Sequence, residues 1–378
     1  MRKIGLQEIL LSSGTFGIKL IKFCDHIFGT IAAACLLPQA FQKPPLSISS
    51  ILVIRPGGIG DAVFLLPVLK AIKIRFPQIS IDVLCQKRNA EVFQSQEDLA
   101  DHVFVYGSPS DLSILGKNQY SAIVDTEQWH YLTAISALMF KTKCRTGFGT
   151  RPLRRKLFNI NVDYDHDAYE LDNFFRLFES LTGALDRVKN IKDCFKLPQE
   201  LLSWGKAQIP SNSVTISLGA SVPERRLSTE QIITLAQGIL SRGYHPVLLG
   251  GQDVGVQSRE VMLKLNKTLV YDFVGKTTLF ESVALIRSGR LFIGTDSGLM
   301  HLACATGVSV IALFGPGQMK KWMSPTEGQI SINEQVPCSP CTFFGYGLPV
   351  CRGTFHCLRK MDLPAVLERH LPLGVMNG

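Results

Sequence analysis

Apolar and polar positions change rhythm many times along this chain, most tellingly between Leu291 and Pro316. The residues from Leu291 to Ile293 are apolar; the run breaks at Gly294, exposes Thr295-Asp296-Ser297-Gly298, and resumes as an apolar-periodic segment from Leu299 to Ala305 that stops at Gly307. This predicts a strand, a polar turn and a short helix, then a second buried strand, Val308 to Phe314, closed by Gly315-Pro316. In an open α/β sheet, the turn after a strand's carboxyl end presents free helix amides, and phosphorylated ligands bind there.

A second segment of the same kind lies far upstream. Ile51 to Ile54 read as a buried strand, Arg55-Pro56-Gly57-Gly58-Ile59-Gly60-Asp61 as a glycine-rich turn, and Ala62 to Phe76 as a helix ending before Pro77. Two such sites, about 240 residues apart, predict two nucleotide-fold halves facing one cleft. Between them come short strands at Ile81–Cys85, Val103–Tyr106 and Ala122–Asp125, with a helix over Leu132–Phe140. The second half repeats the alternation: strands at Val214–Leu218 and Pro246–Gly250, and helices over Thr229–Ser241, Gly255–Leu265 and Thr278–Ser288. Such alternation implies parallel sheets flanked by helices. The polar stretch from Pro198 to Ser213 reads as a linker. The expected organisation is an appendage over 1–48, Rossmann-like domains over 49–200 and 210–360, and a C-terminal helix over 361–378.

In the appendage, Ile18 to Leu37 is apolar-rich, with Lys19 and Lys22 near its start and prolines closing it. Its charge-free part, Ile27 to Gln42, is shorter than the ~20 apolar residues needed to span a bilayer. Two readings remain open: an interfacial helix lying in lipid, or a helix packed on the protein's own surface.

The chain has 378 residues, 46% of them hydrophobic, enough to bury two ordinary cores. Its net charge of +9 favours acidic partners such as phosphorylated sugars or anionic lipid. No nucleic-acid recognition motif accompanies that charge, and nucleic acid is not expected as a partner. The ten cysteines are scattered apart from four near the C-terminus. With no cleavable signal sequence evident, reduced thiols in the cytosol are expected.

Three blocks in this order resemble glycosyltransferase family 9, the ADP-heptose:lipopolysaccharide heptosyltransferases: ILVIRPGGIGDAVFLLPVLKAIKIRFPQISIDVL, then ISLGASVPERRLSTEQI with VLLGG, then VGKTTLFESVALIRSGRLFIGTDSGLMHLACATGVSVIALFGP. The third is close to the family's Asp-Ser/Thr-Gly-x-x-His-Leu-Ala signature. The resemblance runs from Ile51 to the C-terminus. It implies a GT-B fold, with an acceptor domain first and a nucleotide-sugar donor domain second. It also implies an inverting reaction that needs no metal, with Asp61 as the base.

By its residue type and position alone, Asp61 is either that base or a helix N-cap. Gly58 and Gly60 allow a ligand close to the backbone. The G-x-G here has Val63 where a dinucleotide fingerprint needs glycine or alanine, which argues against an NAD enzyme. For the donor, the Ser297 and Gly298 amides are expected to meet the diphosphate, with Asp296 and His301 on the sugar side. Taken singly, Asp296 also reads as an N-cap and His301 as a packed histidine. Where the family has a phosphate-facing lysine, Arg225 stands, with Arg226 as a one-residue alternative. Arginine binds phosphate but gives up no proton. Gly251 follows a strand near the expected nucleoside position.

Residues 141–156 hold seven cations and no acid and read as a loop. Through Arg145, Arg151, Arg154 and Arg155 it would grip an anionic lipid A-core acceptor or lie on headgroups, or it is a solvated face; Asp125 is a further acceptor candidate. Cys338, Cys341, Cys351 and Cys357 have the ligand count of a structural Zn or Fe site, and disulfides or free thiols also remain open. Protein-heptosylating relatives hold such an iron; catalysis requires no cofactor.

The expectation is therefore a cytoplasmic enzyme, peripheral on the cytoplasmic face of the inner membrane, moving heptose from ADP-heptose to a lipopolysaccharide inner-core acceptor. The rivals are a protein O-heptosyltransferase of the same fold and a non-catalytic sugar-nucleotide-binding protein.

Overall fold

The computed structural model describes residues 24–36, 38–39, 45, 47–96, 98–221, 223–265, 268–323, 326–341, 351 and 356–373. They form two compact units that divide between Lys189 and Asn190.

The first unit contains β1 (Ser50–Arg55), β2 (Ser80–Cys85), β3 (His102–Val105), β4 (Gln119–Tyr120), β5 (Ala122–Asp125), β6 (Lys141–Thr142), β7 (Arg145–Phe148) and β8 (Ile160–Val162). Six of them make one sheet, in the order β3-β2-β1-β5-β7-β8, with every pairing parallel. Ile51 to Ile54 are wholly buried, which is why β1 reads as a continuous apolar run rather than an alternating one. The helix Ile59–Arg75 follows and ends at Phe76, since the residue before Pro77 disfavours helical geometry.

The second unit repeats the plan with β9 (Ser213–Ser217), β10 (His245–Leu249), β11 (Tyr271–Asp272), β12 (Leu291–Thr295), β13 (Ser309–Phe314) and β14 (Gln329–Asn333), ordered β11-β10-β9-β12-β13-β14. Capping boxes at Ser228/Gln231 and Thr278/Glu281 start the helices Thr229–Leu240 and Leu279–Ser288, each satisfying two otherwise orphaned amides. In both sheets the chain builds outward on one side of its first strand and then returns to the other. The reversals lie between β1 and β5 and between β9 and β12, and the carboxyl ends of strands at such points are where open α/β sheets bind ligands.

The stretch expected as a linker instead carries the helix Gln199–Gln208, packed on Leu279–Ser288 within the second unit. Its buried stripe is narrow, with Gly205 lying against the backbone of Ala284, so the composition stays polar. The last described helix, Leu363–His370, packs against Thr229–Leu240; residues 374–378 of the expected C-terminal helix lie outside the described residues.

At the N-terminus, Asp25–Gly29 forms a π-helical turn that runs into the helix Thr30–Cys35. Residues 18–23, 37 and 40–42 of the expected apolar segment lie outside the described residues. Among the described residues, no helix is long and apolar enough to cross a membrane.

The basic segment 141–156 departs from the expected loop. It contributes β6, β7 and the short helix Pro152–Arg155, because two of its cations point inward. Arg154 is fully buried; its Nη2 meets Asp125 Oδ2 at 2.8 Å and its Nε donates to the Phe148 carbonyl. Asp125, equally buried, also accepts from Thr133 Oγ1 and the Glu127 amide, both at 3.0 Å. Arg145 directs its guanidinium to the carbonyls of Ala137, Phe140 and Thr142. Asp125, Arg145 and Arg154 therefore direct their polar atoms to partners within the unit.

Breaking a buried pair strands the partner's charge at a cost of about 3–5 kcal/mol. Arg154→Met is accordingly expected to lower the urea midpoint of the first unit sharply, and adding Asp125→Asn to recover much of the loss. An unchanged midpoint in the single variant would contradict this role.

Candidate functional site

At the carboxyl end of β1, Gly58 is the N-cap of the helix Ile59–Arg75. The helix starts earlier than the sequence pattern places it, so Asp61 lies inside its first turn, where the helix's positive end favours a carboxylate. No side-chain capping bond is made from Gly58. A Cβ on Gly58 would come within 2.7 Å of Asp61 Oδ2 and would displace that carboxylate from its present position. Asp61 Oδ1 is buried without a hydrogen bond among the described residues. Its nearest cation is Arg55 Nη1 at 3.9 Å.

Arg55 was not singled out from the sequence, although a charge closing the apolar run Ile51–Ile54 was its signal. The side chain is buried and donates to the carbonyls of Pro56 (2.7 Å) and Thr126 (2.9 Å) and to Glu127 Oε2 (3.2 Å). Burial works against its charge, but the surrounding carboxylates, led by Asp61 and Glu127, outweigh that and raise its pKa. Glu127 responds in kind: burial pushes it up, and Arg55, with His130, Arg154 and the Trp129 amide, more than compensates, holding it below the usual carboxylate range. Arg88, in the first turn of the helix Lys87–Gln94 that follows β2, adds a second guanidinium that feels Asp61. Neither Glu127 nor Arg88 had a motif to announce it.

Of the remaining acceptor candidates, Arg151 stacks over the rings of Tyr131 (4.1 Å) and Trp129 (5.1 Å), an arrangement that holds a cation while leaving its edge free to donate. Arg155 bonds to the Gly149 carbonyl and to Asp163. Gly60 lies in the first helical turn beside Asp61.

The second unit gathers its candidates at the carboxyl ends of β9, β10, β12 and β13. Arg225, in the 3-10 turn Pro223–Arg225 after β9, places Nη1 2.9 Å from Asp296 Oδ2, and His301 Nε2 lies 3.7 Å from Asp296 Oδ1. Asp296 is buried, which pushes its pKa up, but Arg225 and His301 more than offset this and hold it below the ordinary range. A Cβ on Gly317, at the end of β13, would collide with the Asp296 carboxylate. Ser297, not Asp296, is the N-cap of the helix Gly298–Ala305; its hydroxyl makes no capping bond and is buried without a partner among the described residues. The ring of Trp322 meets His301 edge-on at 6.1 Å. Arg226 turns elsewhere, to the Ala220 carbonyl and Asp253, so Arg225 is the arginine that faces Asp296. Gly251 caps the turn Gln252–Val254 after β10.

The four C-terminal cysteines share a neighbourhood. Burial raises both Cys341 and Cys357, and negative charge on the other three cysteines adds to the rise at Cys357, as charge on Cys338 and Cys351 does at Cys341. All ten cysteines are free thiols. No group of three or more His, Cys, Asp or Glu among the described residues is arranged to hold a metal ion. The possible Zn or Fe centre is thus without support among the described residues; Gly345 and Gly347 of that loop lie outside them.

The sequence profile of glycosyltransferase family 9 (heptosyltransferase) matches residues 113–344. Lipopolysaccharide heptosyltransferase 2 of Salmonella typhimurium is 23% identical over 289 residues, covering 70% of this chain and 82% of that protein. Among solved structures, the glycosyl transferase family 9 protein of Veillonella parvula superposes with a TM-score of 0.72 at 18% identity, covering 86% of this chain and 97% of that one. E. coli ADP-heptose lps heptosyltransferase II gives 0.68 at 21% identity, covering 84% and 96%. The match extends over more than half of the sequence, and the two parallel-sheet units have the GT-B fold: the chain belongs to glycosyltransferase family 9, the heptosyltransferases.

Proposed function

We propose that this enzyme transfers a heptose from ADP-heptose to a hydroxyl of a lipopolysaccharide inner-core acceptor, with inversion at the anomeric carbon and without a metal. The observation that carries the reading is the Arg225–Asp296–His301 group at the end of β12, beside the amides that open Gly298–Ala305. It combines anion-binding amides, a cation and a buried carboxylate, which are the groups a sugar diphosphate engages. The relatives named for this activity supply the identity of the sugar.

In the proposed reaction Asp61 Oδ accepts the proton of the acceptor hydroxyl as its oxygen attacks the anomeric carbon. The bond from that carbon to the diphosphate oxygen breaks, and ADP departs with the electron pair. Arg225 and the Ser297 and Gly298 amides stabilise the charge that develops on the leaving diphosphate. Arg225 serves as charge alone, because a guanidinium does not give up its proton near neutral pH. Asp296 accepts hydrogen bonds from sugar hydroxyls with His301 beside it. Arg55, anchored by Glu127, keeps a fixed positive charge beside Asp61. Arg151, held by its two rings, binds an anionic group of the acceptor.

With purified protein, ADP-heptose and a lipid A-core acceptor, Asp61→Asn is expected to reduce ADP release by about 10²–10⁴-fold while the circular dichroism spectrum stays that of the wild type. Turnover retained in this variant would remove Asp61 as the base. Arg225→Lys should keep part of the activity and Arg225→Met should lose about 10²–10³-fold in kcat, the size expected for one preorganised donor; equal rates in the two variants would exclude a role for charge. The anomeric configuration of the product, read by nuclear magnetic resonance, must be opposite to that of the donor.

A further inference from the structure

The N-terminal strap is amphipathic in an unusual way, because its inner face is keyed by a charge. Asp25 is buried and accepts from the Leu132 amide (2.8 Å) and the Tyr131 amide (3.2 Å), with His130 Nδ1 at 3.1 Å. The helix Tyr131–Ala137 has no capping bond from its own N-cap, His130, so Asp25 caps it from a remote part of the chain. Ala33 joins Tyr131, Ala134, Leu157 and Phe158 in a small core, and Lys156 Nζ bonds to the Ala34 carbonyl at 2.9 Å. The strap's orientation on the first unit is therefore fixed by specific polar bonds as well as by packing.

That orientation turns its largest apolar side chains outward. Ile27, Phe28 and Ile31 are 37%, 66% and 58% exposed, and Leu132, whose amide binds Asp25, is 45% exposed. Ile27, Phe28 and Ile31 follow one another at helical spacing, and exposed apolar side chains of this size on one face mark an interaction surface. The one carboxylate of the described strap is Asp25, and it faces inward. Met139, 72% exposed, leads directly into the exposed Lys141 and Lys143.

From this we infer that the outer face of the strap, Ile27, Phe28 and Ile31 with Leu132, docks the protein on an anionic phospholipid bilayer, Lys141 and Lys143 meeting the headgroups. The face is the outside of a helical strap, apolar at its centre and with no acid of its own, and the helix Tyr131–Ala137 that it caps leads on to the exposed Lys141 and Lys143. These are the features that lay a helix in the interface at a depth of about 5–10 Å. The chain's net charge of +9 acts in the same direction. A glycolipid acceptor, as proposed above, gives the enzyme reason to be at a bilayer, but the docking is read without any sugar.

Co-sedimentation of the full chain with vesicles of phosphatidylcholine, with and without phosphatidylglycerol, tests this. The wild type is expected to bind the anionic vesicles, and Phe28→Trp to shift its emission to the blue on binding. Ile27→Ser, Phe28→Ser and Ile31→Ser combined should lower the bound fraction at least ~10-fold, since each buried apolar side chain carries a substantial transfer free energy. Lys141→Gln with Lys143→Gln should lower it by roughly 5-fold or more and weaken its dependence on salt. Melting temperature and turnover on a short soluble acceptor are expected to be unchanged in both. Wild-type binding by the triple serine variant would overturn the inference, as would a wild type that ignores vesicles but falls from dimer to monomer on the serine substitutions. Loss of transferase activity on every acceptor, with vesicle binding intact, would count against the proposed reaction and leave the docking face standing.

Discussion

A buried charge is costly unless an opposite charge or well-made hydrogen bonds meet it, and the first unit holds two buried arginines that meet this condition. Taking an ion out of water costs several kcal/mol, and the cost is recovered only with good geometry and satisfied hydrogen bonds. Arg154 meets that condition through Asp125 and surrounding carbonyls, tying the helix Pro152–Arg155 to the ends of β5 and β7. Arg55 meets it through Glu127 and two carbonyls, which leaves one edge of its guanidinium toward Asp61. One pair holds the scaffold and the other holds the candidate base in a fixed field, and both depend on the loop 125–131.

That loop also joins the strap to the site. Asp125 and Glu127 stand at its start, Trp129 and Tyr131 hold Arg151, and the amides of Tyr131 and Leu132 receive Asp25. A segment that makes a docking face on its outer side therefore caps, on its inner side, the helix that follows Glu127 and the ring of Trp129.

The second unit solves the same electrostatic problem with fewer parts. Asp296 is buried where a carboxylate would ordinarily be protonated, and Arg225 with His301 keeps it charged. Gly317 leaves the space for it. Arg225 sets the chemistry available there, since a guanidinium offers paired donors and permanent charge but no proton.

Much of this was open to reading from the sequence. Apolar runs and the 3.6-residue period are local properties, so β1, β2, β5, β9, β10, β12 and β13 and the capped helices after them could be placed within a residue or two. The glycine-bounded turns at Asp61 and Asp296 were legible for the same reason: a strand that stops at glycine before a helix leaves amides exposed whatever surrounds it. Composition hid β7, because a strand whose cation finds internal partners looks like a polar loop, and it hid the helix Gln199–Gln208, which packs along one narrow stripe. What the sequence by itself determined is the two-unit alternation of strands and helices and the turns at which chemistry is possible. Only the tertiary structure decided which charges meet, because the partners are 29 residues apart for Arg154 and Asp125, 72 for Arg55 and Glu127 and 107 for Asp25 and Leu132. No local pattern encodes a separation that the order of strands in a sheet creates.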